Sequence, residues 1–371
     1  MHVTLCLTHD CTLRCAYCYA GNKHKRAMSR ETALQAIHFG IERALLEPKK
    51  HLTMGFFGGE PLMCWDFLVW AHGETVRCAK AAGVRTSFTV TTNLTLVDKA
   101  KADWLVEHGF SLGLSLDGNA DMHNHYRVYP DGSPSHADCV RGLKFLTNRG
   151  AKGEIIAVYH PVTVRHLFDS VKYLAENFGF MIALNPDFSA EWEDDDLVLL
   201  EAQYRAIGEY YLHRYRKGAP IRINWLDGKI RTHLKGGYSD CDKCTMGSGE
   251  IAVAASGNLY PCARLVGNDD DEAILLGNVE TGYDEAALRR IVSCRGNRNE
   301  ACHHCPVRHR CMCWCGCVNY VQTGDIGIVG AFNCFHERLS VEISDSIADT
   351  LWTEQNPWFI ARFYKSVIKN S

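Results

Sequence analysis

Short stretches of alternating apolar and polar residues recur along the first half of the chain. Longer stretches with an apolar residue every three or four positions separate them. The first short stretch, His2–Leu7, puts Val3, Leu5 and Leu7 on one face, the period-two pattern of a half-buried strand. The other strand candidates are Leu52–Phe57, Ser87–Thr92, Ser111–Leu116, Ile155–Tyr159 and Phe180–Ala183. Helix-period segments lie between them at Arg30–Leu46, Met63–Ala82, Val97–His108, Ala137–Thr147 and Val164–Phe178. This alternation gives six βα units and argues for a parallel sheet. Six units fall short of the eight of a closed barrel. The pattern therefore predicts an α/β fold, a partial (β/α)6 TIM barrel open on one side, with functional residues where strands end.

Glu191 to Asp196 is an acidic run that reads as a solvated loop or a helix start. Ala202–Arg216 is helix-like and is expected to close the barrel. From Asp240 the composition changes, and eleven of the 18 cysteines lie between Cys241 and Cys334. The expected organisation is a barrel over 1–220, a small cysteine-rich domain over 221–335 and a helical tail over 336–371. In that tail Trp352, Trp358, Phe359, Phe363 and Tyr364 stand at near-helical spacing, the pattern of a packed face. No repeat of solenoid length is present.

Composition narrows the class. With 46% hydrophobic residues, the 371-residue chain can fill a sizeable core. A net charge of −3 gives no reason to expect a nucleic-acid surface. No run approaches the roughly 20 apolar residues that span a bilayer. The first strand begins at Val3, which leaves no room for a signal peptide. The chain thus reads as cytoplasmic, with no membrane or nucleic-acid partner. Eighteen cysteines in a reducing compartment then point to metal ligands in preference to disulfides.

Cys11, Cys15 and Cys18 stand directly after the first strand, in Cys-Thr-Leu-Arg-Cys-Ala-Tyr-Cys. Three thiolates on a tight loop leave one iron of a four-iron cube open for another ligand. By spacing alone a zinc loop remains open as an alternative. The loop, its position after a strand and Tyr17 beside the last cysteine resemble the radical S-adenosylmethionine (SAM) enzymes. That resemblance implies a SAM-binding [4Fe-4S] cluster at these cysteines. It also implies reductive cleavage of SAM to a 5′-deoxyadenosyl radical that abstracts hydrogen from a substrate, with the cofactor carrying the hard chemistry.

Further motifs fall at strand ends. Gly58-Gly59-Glu60-Pro61 follows the second strand and resembles the GGEP loop of the family; two glycines permit close backbone approach. The resemblance implies that this loop meets the SAM amino group. Thr91-Thr92-Asn93 ends the third strand, with Leu94 where the family usually has glycine. Ser115-Leu116-Asp117-Gly118 ends the fourth and is followed by His123-Asn124-His125-Tyr126-Arg127, similar to the family pattern. By that resemblance Tyr17, Asn93, Ser115, Asp117 and Arg127 join the GGEP residues as cofactor contacts, with Arg127 able to pair with a carboxylate. Tyr159, His160 and Asn185, near the fifth and sixth strand ends, either face the substrate or pack.

In the second half, Cys244 is followed after twelve residues by Gly257 and after four more by Cys262. Then come Cys302, Cys305, Cys311, Cys315 and Cys334, with Cys241 upstream. This order resembles the SPASM extension of radical SAM proteins, which carries two auxiliary clusters. The pairing implied is Cys241, Cys244, Cys262 and Cys315 for an inner [4Fe-4S] cluster, and Cys302, Cys305, Cys311 and Cys334 for an outer one. Cys313 and Cys317 lie in the same short segment, so either is an alternative ligand. A zinc-stapled binding module is the different-class alternative. Cys6, Cys64, Cys78, Cys139 and Cys294 read as buried apolar residues.

SPASM proteins mostly act on peptides or proteins. Anaerobic sulfatase maturases place an Asp base directly after the cysteine of the Gly-x4-Cys segment; here that residue is Ala263. The phrase Tyr260-Pro261-Cys262-Ala263-Arg264-Leu265-Val266-Gly267 with Leu276-Gly277-Asn278-Val279 resembles enzymes that tailor ribosomally made peptides. The expectation is a peptide maturase forming a crosslink, an oxidation or an epimer, with formylglycine formation as the alternative. An external electron donor is implied. A leader peptide, if the substrate has one, requires a separate leader-binding protein or another surface, because the chain starts at the first barrel strand.

Overall fold

A computed structural model describes residues 1–294 and 299–364. In chain order β1 (His2–Cys6), α1 (Arg30–Leu45), β2 (His51–Phe57), α2 (Trp65–Ala82), β3 (Arg85–Thr92), α3 (Lys99–Glu107) and β4 (Ser111–Ser115) alternate. Next come α4 (Ala120–Tyr126), α5 (His136–Thr147), β5 (Lys152–Tyr159), α6 (Leu167–Asn177), β6 (Met181–Pro186), α7 (Asp194–Arg216) and α8 (Asn224–Lys235). The cysteine-rich half adds β7 (Glu250–Val253), β8 (Asn258–Tyr260), β9 (Gly277–Asn278), β10 (Gly282–Tyr283) and α9 (Glu285–Ser293). It continues with α10 (Glu300–His303), α11 (Gly316–Thr323) and α12 (Ala331–Thr353). All six expected strands form, and the fold is mixed α/β around parallel strands.

Packing divides the chain into two compact units. The first contains Met1–Leu116, Tyr126–Gly153 and Thr245–Cys294. Its strand order is β10-β9-β8-β7-β1-β2-β3-β4, with β1 to β4 parallel. Val3, Leu5, Leu52, Met54, Phe56, Val90, Leu112 and Leu114 form its buried face. Ser29 caps α1 by accepting the Thr32 N–H, and Asp98 caps α3 from Lys101. Strands β7 to β10 were not anticipated. β7 lies parallel to β1, with His2 opposite Glu250, and continues into antiparallel β8, β9 and β10. These strands have two to four residues, too few to show a period.

The second unit contains Asp117–His125, Glu154–Cys244 and the described part of 295–371. β5 and β6 pair in parallel, Ile155 opposite Ile182. Helix α7 begins at Asp194, eight residues before the expected start. Glu193 and Asp196 make a capping box there, and Asp194, Asp195 and Asp196 fill the first turn, where negative charge complements the helix N-terminus. Tyr204, Tyr211 and Tyr215 of α7 are buried. In the tail Phe359 and Phe363 are buried, whereas Trp352 and Trp358 are exposed; Asn356 Nδ2 ties the tail to Tyr215 O of α7 at 3.1 Å.

Candidate functional site

The first unit builds its site where β1, β2 and β3 end. Cys11, Cys15 and Cys18 lie on the loop after β1, each half-buried and none in a disulfide. The loop is fixed at its ends: Cys11 N–H donates to Asp10 Oδ1 at 2.9 Å, and Arg14 N–H to Val128 O at 2.8 Å. Donors surround the sulfurs. Leu13 N–H and Asn93 Nδ2 each lie 3.4 Å from Cys11 Sγ, and Lys23 Nζ lies 3.1 Å from Cys18 Sγ. Burial pushes the Cys11 thiol up, and the Leu13 N–H opposes it. Thiolates need such donors and a nearby cation, so the loop fits a cluster held by three cysteines. The Arg127 guanidinium lies 5.3 Å from the Tyr17 ring, and Tyr126 meets the same ring edge-on at 5.7 Å.

The GGEP loop has a role the sequence did not reveal. Gly58, at φ +125°, and Gly59 lie flat against the backbone that leads into Cys11. A Cβ on Gly58 would sit 2.4 Å from Thr8 O, and one on Gly59 would sit 2.0 Å from Asp10 O. The loop in turn donates Gly59 N–H to Thr8 O and Glu60 N–H to Asp10 O. What approaches these glycines closely is the chain's own β1 end. Glu60 is fully buried. Its carboxylate accepts Leu62 N–H at 3.0 Å, Thr92 Oγ1 at 2.8 Å and Asn93 N–H at 2.7 Å. Burial nevertheless pushes it up to about 7, against those three hydrogen bonds.

Asn93 joins the two parts. Its Oδ1 accepts Thr95 N–H at 3.1 Å and Thr95 Oγ1 at 2.7 Å, while Nδ2 donates to Thr12 Oγ1 at 3.0 Å as well as to Cys11. Cys139, one of the expected buried cysteines, donates its thiol to Asn93 O at 3.0 Å. Leu94 takes φ +73°, the left-handed conformation that explains the glycine usual at this position.

The Tyr260–Gly267 phrase also returns to the cysteine loop. Arg264 lies over the Tyr19 ring at 5.2 Å, Asn268 Oδ1 accepts Asn22 N–H at 2.7 Å, and a Cβ on Gly21 would meet Gly267 O at 2.4 Å. Gly257 makes the β7–β8 turn at φ +92°, and Cys262, separated from β8 by Pro261, stands at the N-cap of the turn that Ala263 opens. Lys23, Thr12, Thr95 and Asn268 were not singled out from sequence, since ordinary polar residues in loops carry no motif.

In the second unit, Asp117 is buried and its Oδ1 accepts Val158 N–H at 2.9 Å. Tyr159 is fully buried and its hydroxyl bonds to that of Tyr204, which reaches His336 Nδ1 at 2.8 Å; Tyr159 packs. Cys302, Cys305, Cys311 and Cys334, the expected outer set, line one small cavity together with Cys313, Arg308 and Arg338. Cys317 lies instead by Cys315, 3.6 Å between sulfurs. Among the described residues no three His, Cys, Asp or Glu side chains converge as the ligands of a single metal ion.

Three thiols on one loop at the end of the first strand of a parallel α/β sheet suit an iron–sulfur cluster with one iron left open. The model of the Radical SAM superfamily matches residues 5–174: that part of the chain is a radical SAM domain, and the cysteine-rich C-terminal half fits a SPASM-like domain. It is 24% identical over 270 residues to a cysteine-type anaerobic sulfatase-maturating enzyme of Clostridium perfringens, covering 68% of this chain and 71% of that one. Its fold is similar to native anSMEcpe with bound AdoMet and Cp18Cys peptide (TM-score 0.77, 21% identity, 95% of this chain and 100% of that one). It is also similar to Streptococcus suis SuiB bound to precursor peptide SuiA (TM-score 0.60, 17% identity, 90% and 75%).

Proposed function

We propose that the protein is a peptide-modifying radical SAM enzyme that abstracts hydrogen from a residue of a peptide or protein, leading to a crosslink, an oxidation or an epimer. The observation that carries this reading is the three-thiol loop braced by Asn93 and the GGEP turn, in a chain with eight further spaced cysteines. Cys11, Cys15 and Cys18 are the proposed ligands of the SAM-binding [4Fe-4S] cluster. Tyr17, Gly58, Gly59, Glu60, Pro61, Asn93, Ser115, Asp117 and Arg127 are the proposed SAM environment. Cys241, Cys244, Cys262 and Cys315 form the proposed inner auxiliary set, and Cys302, Cys305, Cys311 and Cys334 the outer. When bound, the cluster and SAM supply the electron and the 5′-deoxyadenosyl radical. The chain's own part is to orient and to shield. Lys23 and Asn93 present donors to the thiolates, and Glu60 fixes Asn93 by its backbone. The division into a barrel over 1–220, a SPASM domain over 221–335 and a tail over 336–371 belongs to the same proposal. So do a cytoplasmic location, an external electron donor and, for a substrate with a leader, a separate leader-binding protein or another surface.

A second reading is formation of formylglycine in a sulfatase. The identity to the Clostridium perfringens enzyme favours it; Ala263, which has no acid–base side chain at the expected base position, speaks against it. Anaerobic incubation with SAM, a reductant and candidate peptides, followed by mass spectrometry, separates the two. A peptide that lacks two hydrogens and carries no aldehyde, or one of unchanged mass that takes up solvent deuterium, supports the maturase. An aldehyde in a sulfatase-type peptide overturns it.

A further inference from the structure

The outer cysteine cavity in the second unit holds one thiol more than a four-iron cube takes. Cys302, Cys305, Cys311, Cys313 and Cys334 all line it. Cys313 is buried, and the Cys311 and Cys313 thiols are hydrogen-bonded to each other.

Residues outside the cavity fix this arrangement. Glu337 stands one turn along α12 from Cys334 and is buried. Its Oε2 accepts the backbone N–H of Met312, the residue between the two cysteines, at 2.5 Å. The same oxygen accepts Lys229 Nζ at 2.6 Å, and Lys229 also donates to Arg310 O at 2.8 Å. Arg310, just before Cys311, is forked onto Asp345 at 2.7 and 2.5 Å. On the far side Asn319 Nδ2 donates to Cys313 O at 3.0 Å. The backbone on both sides of each cysteine is therefore tied down. A buried carboxylate–ammonium pair is costly to desolvate unless hydrogen bonds compensate; here the loop supplies two of them, Met312 N–H donating to Glu337 and Arg310 O accepting from Lys229, and Tyr238 Oη accepts from Lys229 at 3.3 Å.

We propose that the Glu337–Lys229 pair clamps Met312 so that Cys311 and Cys313 both face the outer site, and that either can serve as its fourth ligand. The inference rests on the proposed outer [4Fe-4S] cluster. An exchange between the two thiols changes no oxidation state: one Fe–S bond breaks, the other forms, and the incoming thiol's proton passes to the outgoing sulfur. A cluster so held survives the loss of one of the two ligands.

The test is iron and sulfide content after anaerobic reconstitution, with low-temperature EPR of the reduced protein. The full chain is used with Cys11, Cys15 and Cys18 replaced by Ala, so that only auxiliary clusters load. Cys311→Ala and Cys313→Ala alone are each expected to keep about eight irons per chain and to shift the EPR g-values differently; the double variant is expected to keep about four. Those four report that the double variant is still folded. A fall to about four irons in either single variant overturns the proposal. If the parent itself binds no more than about four irons, or binds zinc, the outer-cluster reading has failed and the proposal falls with it.

Discussion

Glu60 accepts the backbone N–H of Asn93 at 2.7 Å, and the Asn93 side chain reaches Cys11 Sγ at 3.4 Å. The second strand's glycine-rich loop thus acts on the cysteine loop through the end of the third strand, by a chain of two residues. Glu60 accepts two backbone N–H groups and the Thr92 hydroxyl of this chain, so its first task is to set the shape of the site.

That arrangement gives a pH dependence. The Glu60 carboxyl is raised from its ordinary 4.5 to about 7. A carboxyl raised on folding contributes stability that is fully present below its unfolded value and is lost as pH rises through the folded value. Stability should therefore fall by about 3 kcal/mol between pH 4.5 and 7. Glu60→Gln should remove this slope. It should also lower stability overall by about 1–3 kcal/mol, because an amide N–H then faces the Asn93 N–H. Thermal unfolding across the pH range checks both; an unchanged slope in the variant contradicts the assignment.

Gly59→Ala should do more harm than an ordinary loop substitution. The added Cβ falls 2.0 Å from the backbone oxygen of Asp10, which has no flexible end to move aside. Displacement of the β1 end should cost several kcal/mol and lower cluster loading. Iron content and Tm together check this, with Gly73→Ala as control, since nothing lies within 4 Å there.

The parallel strands were legible in the sequence because Val3, Leu5 and Leu7 and their counterparts alternate cleanly. The cysteine, GGEP and Asn93 motifs were legible as motifs. What links them was not. The bonds from Glu60 to Asn93 and from Asn268 to Asn22 join residues 33 and 246 positions apart, and sequence spacing carries no trace of such meetings. The same holds for β7, which finds its partner β1 almost 250 residues away. The acidic run at 191–196 was legible only as a choice between a solvated loop and a helix start; three aspartates suit either, and here they fill the first turn of α7, where their charge is stabilising.

Leu94→Gly tests competing terms. Relief of the left-handed backbone at φ +73° favours glycine by about 1–2 kcal/mol. Leu94 is fully buried, and removing a buried leucine side chain costs about 2–5 kcal/mol. A net loss of up to about 4 kcal/mol is expected from the difference, measured by denaturant unfolding; a gain contradicts this balance.

Lys229→Met should destabilise by about 3–5 kcal/mol, because it strands the buried Glu337 charge. Adding Glu337→Gln should recover part of that loss. Urea unfolding of the two variants checks the coupling, and strict additivity contradicts it.

The central claim is that Cys11, Cys15 and Cys18 make this a radical SAM enzyme. The most direct measurement is 5′-deoxyadenosine released from SAM under anaerobic reduction, in the wild type and in the Cys11/Cys15/Cys18→Ala variant. Release by the wild type and none by the variant, with its auxiliary iron retained, is the expected result. Equal release by both, or none by an iron-loaded wild type, contradicts the account.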